Sequence, residues 1–114
     1  MITIKSYTSL EQAKKLAEVL PLESADMRFC FSHTLGGRVT GHYPMIGREP
    51  SMGTVPCWSL AALMDILDRG ALFKTPKGWV CQIYIEYEAI NSNYHSNPVD
   101  ACVETILELH KQKK

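Results

Sequence analysis

Four cysteines and four histidines hold much of the reactive chemistry this chain could offer. Cys30 and His33 stand in a CxxH spacing, and His42, His95 and His110 are the other imidazoles. Structural zinc sites bring their ligands in tight pairs, and no second pair accompanies this one. The spacing therefore implies no metal. Cys30, Cys57, Cys81 and Cys102 are widely spread with no CxxC, and no secretory signal precedes them, so they read as four reduced thiols. Cys57 is the candidate nucleophile, because a thiol beside a helix start has a lowered pKa and a histidine can act as its base. The competing reading is that Cys57 helps Trp58 pack. The sequence favours packing, since it assigns no third group to orient such a pair.

Trp58 and Trp79 suggest an aromatic platform for a base or a sugar, although tryptophans beside apolar stripes are more often core. Asp65 with Asp68, and Glu86 with Glu88, have the spacing of acid–base pairs, but each fits a solvated face better. Arg38, His42, Tyr43 and Arg48 are the candidate binding residues. They gather hydrogen-bonding side chains in and beside a Gly/Pro-rich stretch, and Arg and Tyr are typical interface hot-spot types. No phosphate-cradling loop is present, because Gly36, Gly37 and Gly41 lack the required spacing. The pattern implies no catalytic residue, no cofactor and no particular small molecule.

Length and charge narrow the partners. A chain of 114 residues suits a single domain over 1–114. Twelve basic residues balance twelve acidic ones, so the basic excess usual in nucleic-acid-binding proteins is missing. No apolar run approaches the roughly 20 residues that a membrane helix needs. The expected location is cytoplasmic, and the expected partner is a protein or a second copy of the chain, with neither membrane nor nucleic acid.

The elements that must position these side chains follow from periodicity. Residues 79–88 alternate Trp79, Cys81, Ile83, Ile85 and Tyr87 with Val80, Gln82, Tyr84, Glu86 and Glu88, which predicts a strand with one row facing a core. Thr75–Gly78 before it is turn chemistry, and Leu72–Lys74 is a possible short partner strand. Ile2 and Ile4 suit a first strand. Ser9 and Gln12 form a capping box for a helix whose stripe is Leu10, Ala13, Leu16 or Ala17, and Leu20, ended by Pro21. Met27, Phe29 and Phe31 predict a second strand, with Arg38–Tyr43 returning as its hairpin partner and Gly41 weakening it or marking a bulge. Residues 44–56 read as an irregular loop. Pro56–Leu67 predicts a helix apolar on most sides, with Gly70 as its C′ residue. Asn97, Pro98 and Asp100 start a last helix, with Val99, Cys102, Val103, Ile106 and His110 on one stripe. Asp100, Glu104 and Glu108 fall on its opposite side. The sum is an α+β domain with one mainly antiparallel sheet and three helices packed on one face.

Three islands carry a resemblance: Ser24-Ala25-Asp26-Met27, Pro56-Cys57-Trp58-Ser59-Leu60-Ala61-Ala62-Leu63, and Asn97-Pro98-Val99-Asp100-Ala101-Cys102-Val103-Glu104. Together they resemble a group of small uncharacterised proteins from phage-like and mobile-element regions of gut bacterial genomes. There an ADM island is followed by WSL-A-LL, a tryptophan-bearing strand and an NP-DA---E helix. The resemblance implies a bacterial, prophage or mobile-element origin and carries no activity with it. The expectation is a non-enzymatic accessory or interaction protein that binds a protein partner or itself. The alternatives are a small Cys/His- or metal-dependent hydrolase and a nucleic-acid-binding accessory factor.

Overall fold

The computed structural model describes residues 6–33, 39–46, 55–67, 69–85 and 87–112. Helix α1 spans Leu10–Ala17 and is followed by a 3₁₀ turn at Leu22–Ser24. Strands β1 (Met27–His33), β2 (Val39–Ile46) and β3 (Val55–Cys57) come next, then helix α2 (Leu60–Ile66). Strands β4 (Ala71–Thr75), β5 (Gly78–Ile85) and β6 (Glu88–Asn91) precede helix α3 (Pro98–Gln112).

The strands form two antiparallel three-stranded sheets, ordered β2-β1-β3 and β4-β5-β6, where the sequence predicted one. β3 returns to β1 through pairs such as Met27 with Cys57 and Phe29 with Val55, and the chain then leaves through α2 before starting β4. Periodicity cannot register that division, because it says nothing about which strand pairs with which. The helices also depart from a layer on one sheet face: α1 packs on β3, α3 packs on β5, and α2 lies against α3. Both sheets nevertheless feed one core. Phe29 and Cys57 of the first join Cys81 and Ile83 of the second, with Leu16, Trp58, Leu63, Val99 and Cys102 between them.

Local signals set the helix starts. The Ser9 hydroxyl accepts from the Gln12 amide at 3.2 Å, and the Gln12 carbonyl oxygen accepts from the Ser9 amide at 3.0 Å. The same Gln12 side chain donates from Nε2 to Asp100 Oδ1 at 2.7 Å, so one residue caps α1 and ties it to the first turn of α3. Asn97 Oδ1 accepts from the Val99 amide at 3.0 Å, as expected of an N-cap. α2 starts later than predicted. Pro56 and Cys57 belong to β3, and Ser59 is the cap, its hydroxyl accepting from the Ala62 amide at 3.1 Å. α3, rather than α2, is the most enclosed helix. Val99, Ala101, Cys102, Val103, Thr105 and Ile106 are all buried, whereas Ala61 and Asp65 of α2 are exposed.

Other expectations divide in the same way. β1 and β2 pair as a hairpin, and the register slips between Ser32–Gly41 and His33–Val39, so a bulge does sit beside Gly41. Residues 44–56 are not wholly irregular: Pro44–Ile46 extend β2 and Val55–Cys57 form β3. The predicted strand 79–88 breaks into a hairpin in which Ile85 pairs with Glu88. Ile85 and Tyr87 are exposed. After α2 the residue with positive φ is Arg69, not Gly70, at 61°. Gly70 is required for a different reason: a Cβ there would lie 2.9 Å from Leu67 Cβ. The predicted strand at Ile2–Lys5 and the residues Gly36 and Gly37 lie outside the described residues.

Candidate functional site

The four candidate binding residues do not assemble into a described site. Arg38 and Arg48 lie outside the described residues, and His42 and Tyr43 fall on β2 opposite Phe31 and Cys30. Asp68 and Glu86 also lie outside the described residues.

Cys57 is no activated nucleophile. It sits in β3, not at a helix start, and is fully buried. Burial pushes its thiol up, the nearby Asp26 carboxylate adds to that, and hydrogen bonding to Thr8 only partly opposes it. Its sulfur lies 3.5 Å from Thr8 Oγ1 and 3.7 Å from the Thr8 carbonyl oxygen. Trp58 next to it is also fully buried, which excludes a solvent-facing platform. Among the described residues no group of three or more His, Cys, Asp and Glu side chains could hold a metal ion.

A polar corner forms where the chain after β6 meets α3. Glu104 accepts from the Asn93 amide at 2.7 Å and from Asn93 Nδ2 at 3.1 Å, and its Oε1 lies 3.0 Å from His95 Nε2. Burial opposes the charge, but these partners outweigh it and hold the Glu104 carboxyl below its usual range. A cleft of about 430 Å³ opens beside it, lined by Ile90–Asn93, Glu104, Thr105 and Glu108. The His95 backbone pairs with Trp79, receiving from its amide at 2.6 Å and donating to its carbonyl at 3.0 Å. This corner closes the second sheet onto α3; its side chains are spent on one another.

The larger feature is the outer face of β4-β5-β6. Strand alternation turns Leu72, Trp79, Cys81, Ile83 and Ile90 toward the core and leaves positions 71, 73, 75, 80, 82, 84, 89 and 91 on the other side. None of those eight positions carries a charge. Phe73 and Tyr84 are 49% and 56% exposed, and Tyr94, just past β6, is 54% exposed. Gln82 Nε2 donates to Asn91 Oδ1 at 2.8 Å across the strands. A hollow of about 370 Å³ runs between Phe73, Thr75, Val80, Gln82, Asn91, Ser92 and Tyr94. Lys77 Nζ lies 5.7 Å from the Tyr94 ring centroid at the rim.

The sequence shows half of this face. The row Val80, Gln82, Tyr84 reads as the polar side of a strand, but Phe73 and Tyr94 join it only through tertiary pairing. No helix among the described residues is long and apolar enough to cross a membrane. No family model matches the chain, and neither the curated proteins nor the solved structures compared with it give a match.

Proposed function

We propose that this chain is a non-enzymatic interaction protein of a mobile element, and that it docks a protein partner or a second copy of itself on the outer face of β4-β5-β6. The observation that carries this reading is the open, uncharged face with Phe73, Tyr84 and Tyr94 standing out of it. Large exposed aromatics are typical anchors of protein interfaces. A surface without cationic strand positions suits a protein better than a polyphosphate chain, whose binding is dominated by Lys and Arg. The mobile-element origin rests on the three sequence islands alone.

Against the Cys/His-dependent hydrolase stands the burial of its candidate nucleophile: Cys57 is fully buried and its thiol is pushed up, which makes it a poor nucleophile. A photo-crosslinking amino acid at Tyr84, with the same group at Asp65 on α2 as the control, tests the proposal in extract of the native host. A defined protein adduct, or a covalent dimer, formed from Tyr84 and not from Asp65 is the expected result. Adducts to nucleic acid alone, or equal labelling from both positions, would refute the reading.

A further inference from the structure

The strand Ala71-Leu72-Phe73-Lys74-Thr75 is a sheet edge, and its backbone directions are fixed by what lies across from it. Trp79 exchanges both backbone bonds with His95, and Cys81 accepts from the Ser92 amide, so both aim these groups away from β4. Lys74 stands opposite Trp79, and Leu72 stands opposite Cys81. In an antiparallel ladder such non-bonded pairs turn their amides and carbonyls outward on both strands. The amides and carbonyls of Leu72 and Lys74 therefore point off the sheet, and among the described residues no backbone group meets them. An edge of this kind is a template for another strand. An edge lysine commonly deters that, but the Lys74 ammonium is folded back over the Trp79 ring, 5.8 Å from its centroid.

We infer that two copies of this chain pair antiparallel along β4, joining their β4-β5-β6 sheets into one continuous sheet about a twofold axis at Phe73. The register follows from what each alternative would oppose. Centred on Phe73, Leu72 of one copy faces Lys74 of the other, and each of the two such pairs exchanges two bonds. Centred on Lys74, the two cationic residues stand opposite each other, and Leu72 meets Pro76, which has no amide. Centred on Leu72, Lys74 meets Gly70, whose amide is already given to the Leu67 carbonyl at 2.9 Å. Of the three, the Phe73 register alone satisfies every outward group of Leu72 and Lys74.

The side chains agree with that axis. Phe73, half-exposed on the outer face, meets its own copy in a non-bonded pair, where Cα atoms come within about 4.5 Å and aromatic side chains stack. On the inner face Lys74 lies beside the apolar Leu72 of the other copy, and the two ammonium groups are drawn apart toward their own Trp79 rings. The other edges suit self-pairing less. β2 contains Pro44, β3 contains Pro56, and β6 would centre on Ile90, which already packs on the core. The pairing uses an edge and not the outer face, so it does not rest on that face docking a partner; the two share Phe73. So short an edge buries little surface, and the dimer is weak and forms as concentration rises.

Sedimentation of the unmodified chain across concentration reads the first consequence: its mass rises from 12.8 kDa toward twice that value. Mild oxidation of Phe73→Cys then gives a linked dimer whose peptide map joins position 73 of both chains, because the paired Cα atoms lie within disulfide reach. Tyr84→Cys, on the outer face but away from the β4 edge, gives no such link. Lys74→Pro removes an outward donor without taking a bond from the β4–β5 ladder, and it stays monomeric while keeping its circular dichroism. A single-chain mass at every concentration up to about 1 mM overturns the inference, as does a folded Lys74→Pro that still dimerises. Linkage from Tyr84→Cys equal to or faster than that from Phe73→Cys also overturns it, and would leave two copies meeting by their outer faces. The sedimentation and the two crosslinks decide the matter even if Lys74→Pro fails to fold.

Discussion

The indole Nε1 of Trp58 donates to the Ser24 hydroxyl at 3.0 Å, joining two of the three sequence islands across 34 residues. The same islands meet again one residue further on. Asp26 accepts from the Ser59 amide at 2.9 Å and from the Ser59 hydroxyl at 2.5 Å, and Met27 pairs with Cys57. The third island is tied instead to α1, through Asp100, which accepts from Gln12. These islands are the joints of the scaffold.

Trp58 should behave as an anchor. Trp58→Ala is expected to cost about 3–5 kcal/mol, the range for deleting a large buried aromatic. That is a large share of the roughly 5–15 kcal/mol holding such a domain. Urea melts measure it, and a change below about 1 kcal/mol would place Trp58 among ordinary surface residues.

Asp26 and Ser59 should be energetically coupled. Asp26→Ala strips the Ser59 amide of its partner, at a cost of about 1–3 kcal/mol, and Ser59→Ala removes the α2 cap, at about 1 kcal/mol. Because they share one network, the double variant should lose less than the two single losses added together. Strict additivity in a double-mutant cycle would mean that the carboxylate does not support the cap.

Gly78 should tolerate no side chain. Its φ is 130°, and a Cβ there would stand 2.6 Å from the His95 carbonyl oxygen, the acceptor of the Trp79 amide. Gly78→Ala should cost about 2 kcal/mol or more by combining a disfavoured backbone with displacement of that pairing. Thermal denaturation reads the loss, and an unchanged melting temperature would disprove the close approach.

Glu104 should make the fold acid-sensitive. Its folded-state carboxyl lies below the usual range, so its stabilisation is fully present above the unfolded pKa and is lost as pH falls through the folded pKa. Glu104→Gln should therefore be less stable than the parent at neutral pH and converge with it in acid. Parallel stability curves across that window would contradict the assignment.

How much of this was legible depended on distance along the chain. The Ser9–Gln12 box, the Asn97 cap and the 75–78 turn rest on neighbours a few residues apart, and all stand as read. Pro56 and Cys57 read as helix in the sequence because β3 is defined by its pairing with Met27 and Arg28, some thirty residues earlier. The aromatic outer face of β4-β5-β6 is not legible for the same reason: Phe73, Tyr84 and Tyr94 come from different segments. Two of the acidic residues on the side of α3 opposite its apolar stripe act as ties: Asp100 holds α1 and Glu104 holds the chain after β6.

The docking face is tested most directly by separating stability from capture. Phe73→Ala and Tyr84→Ala, alone and combined, are compared with the parent in urea melts and in affinity for the protein crosslinked from Tyr84. The account predicts melts within about 0.5 kcal/mol per exposed site and a loss of affinity of tenfold or more, about 1.4 kcal/mol, in the double variant. Unchanged affinity at unchanged stability would contradict it and leave the outer face of β4-β5-β6 without a role in binding.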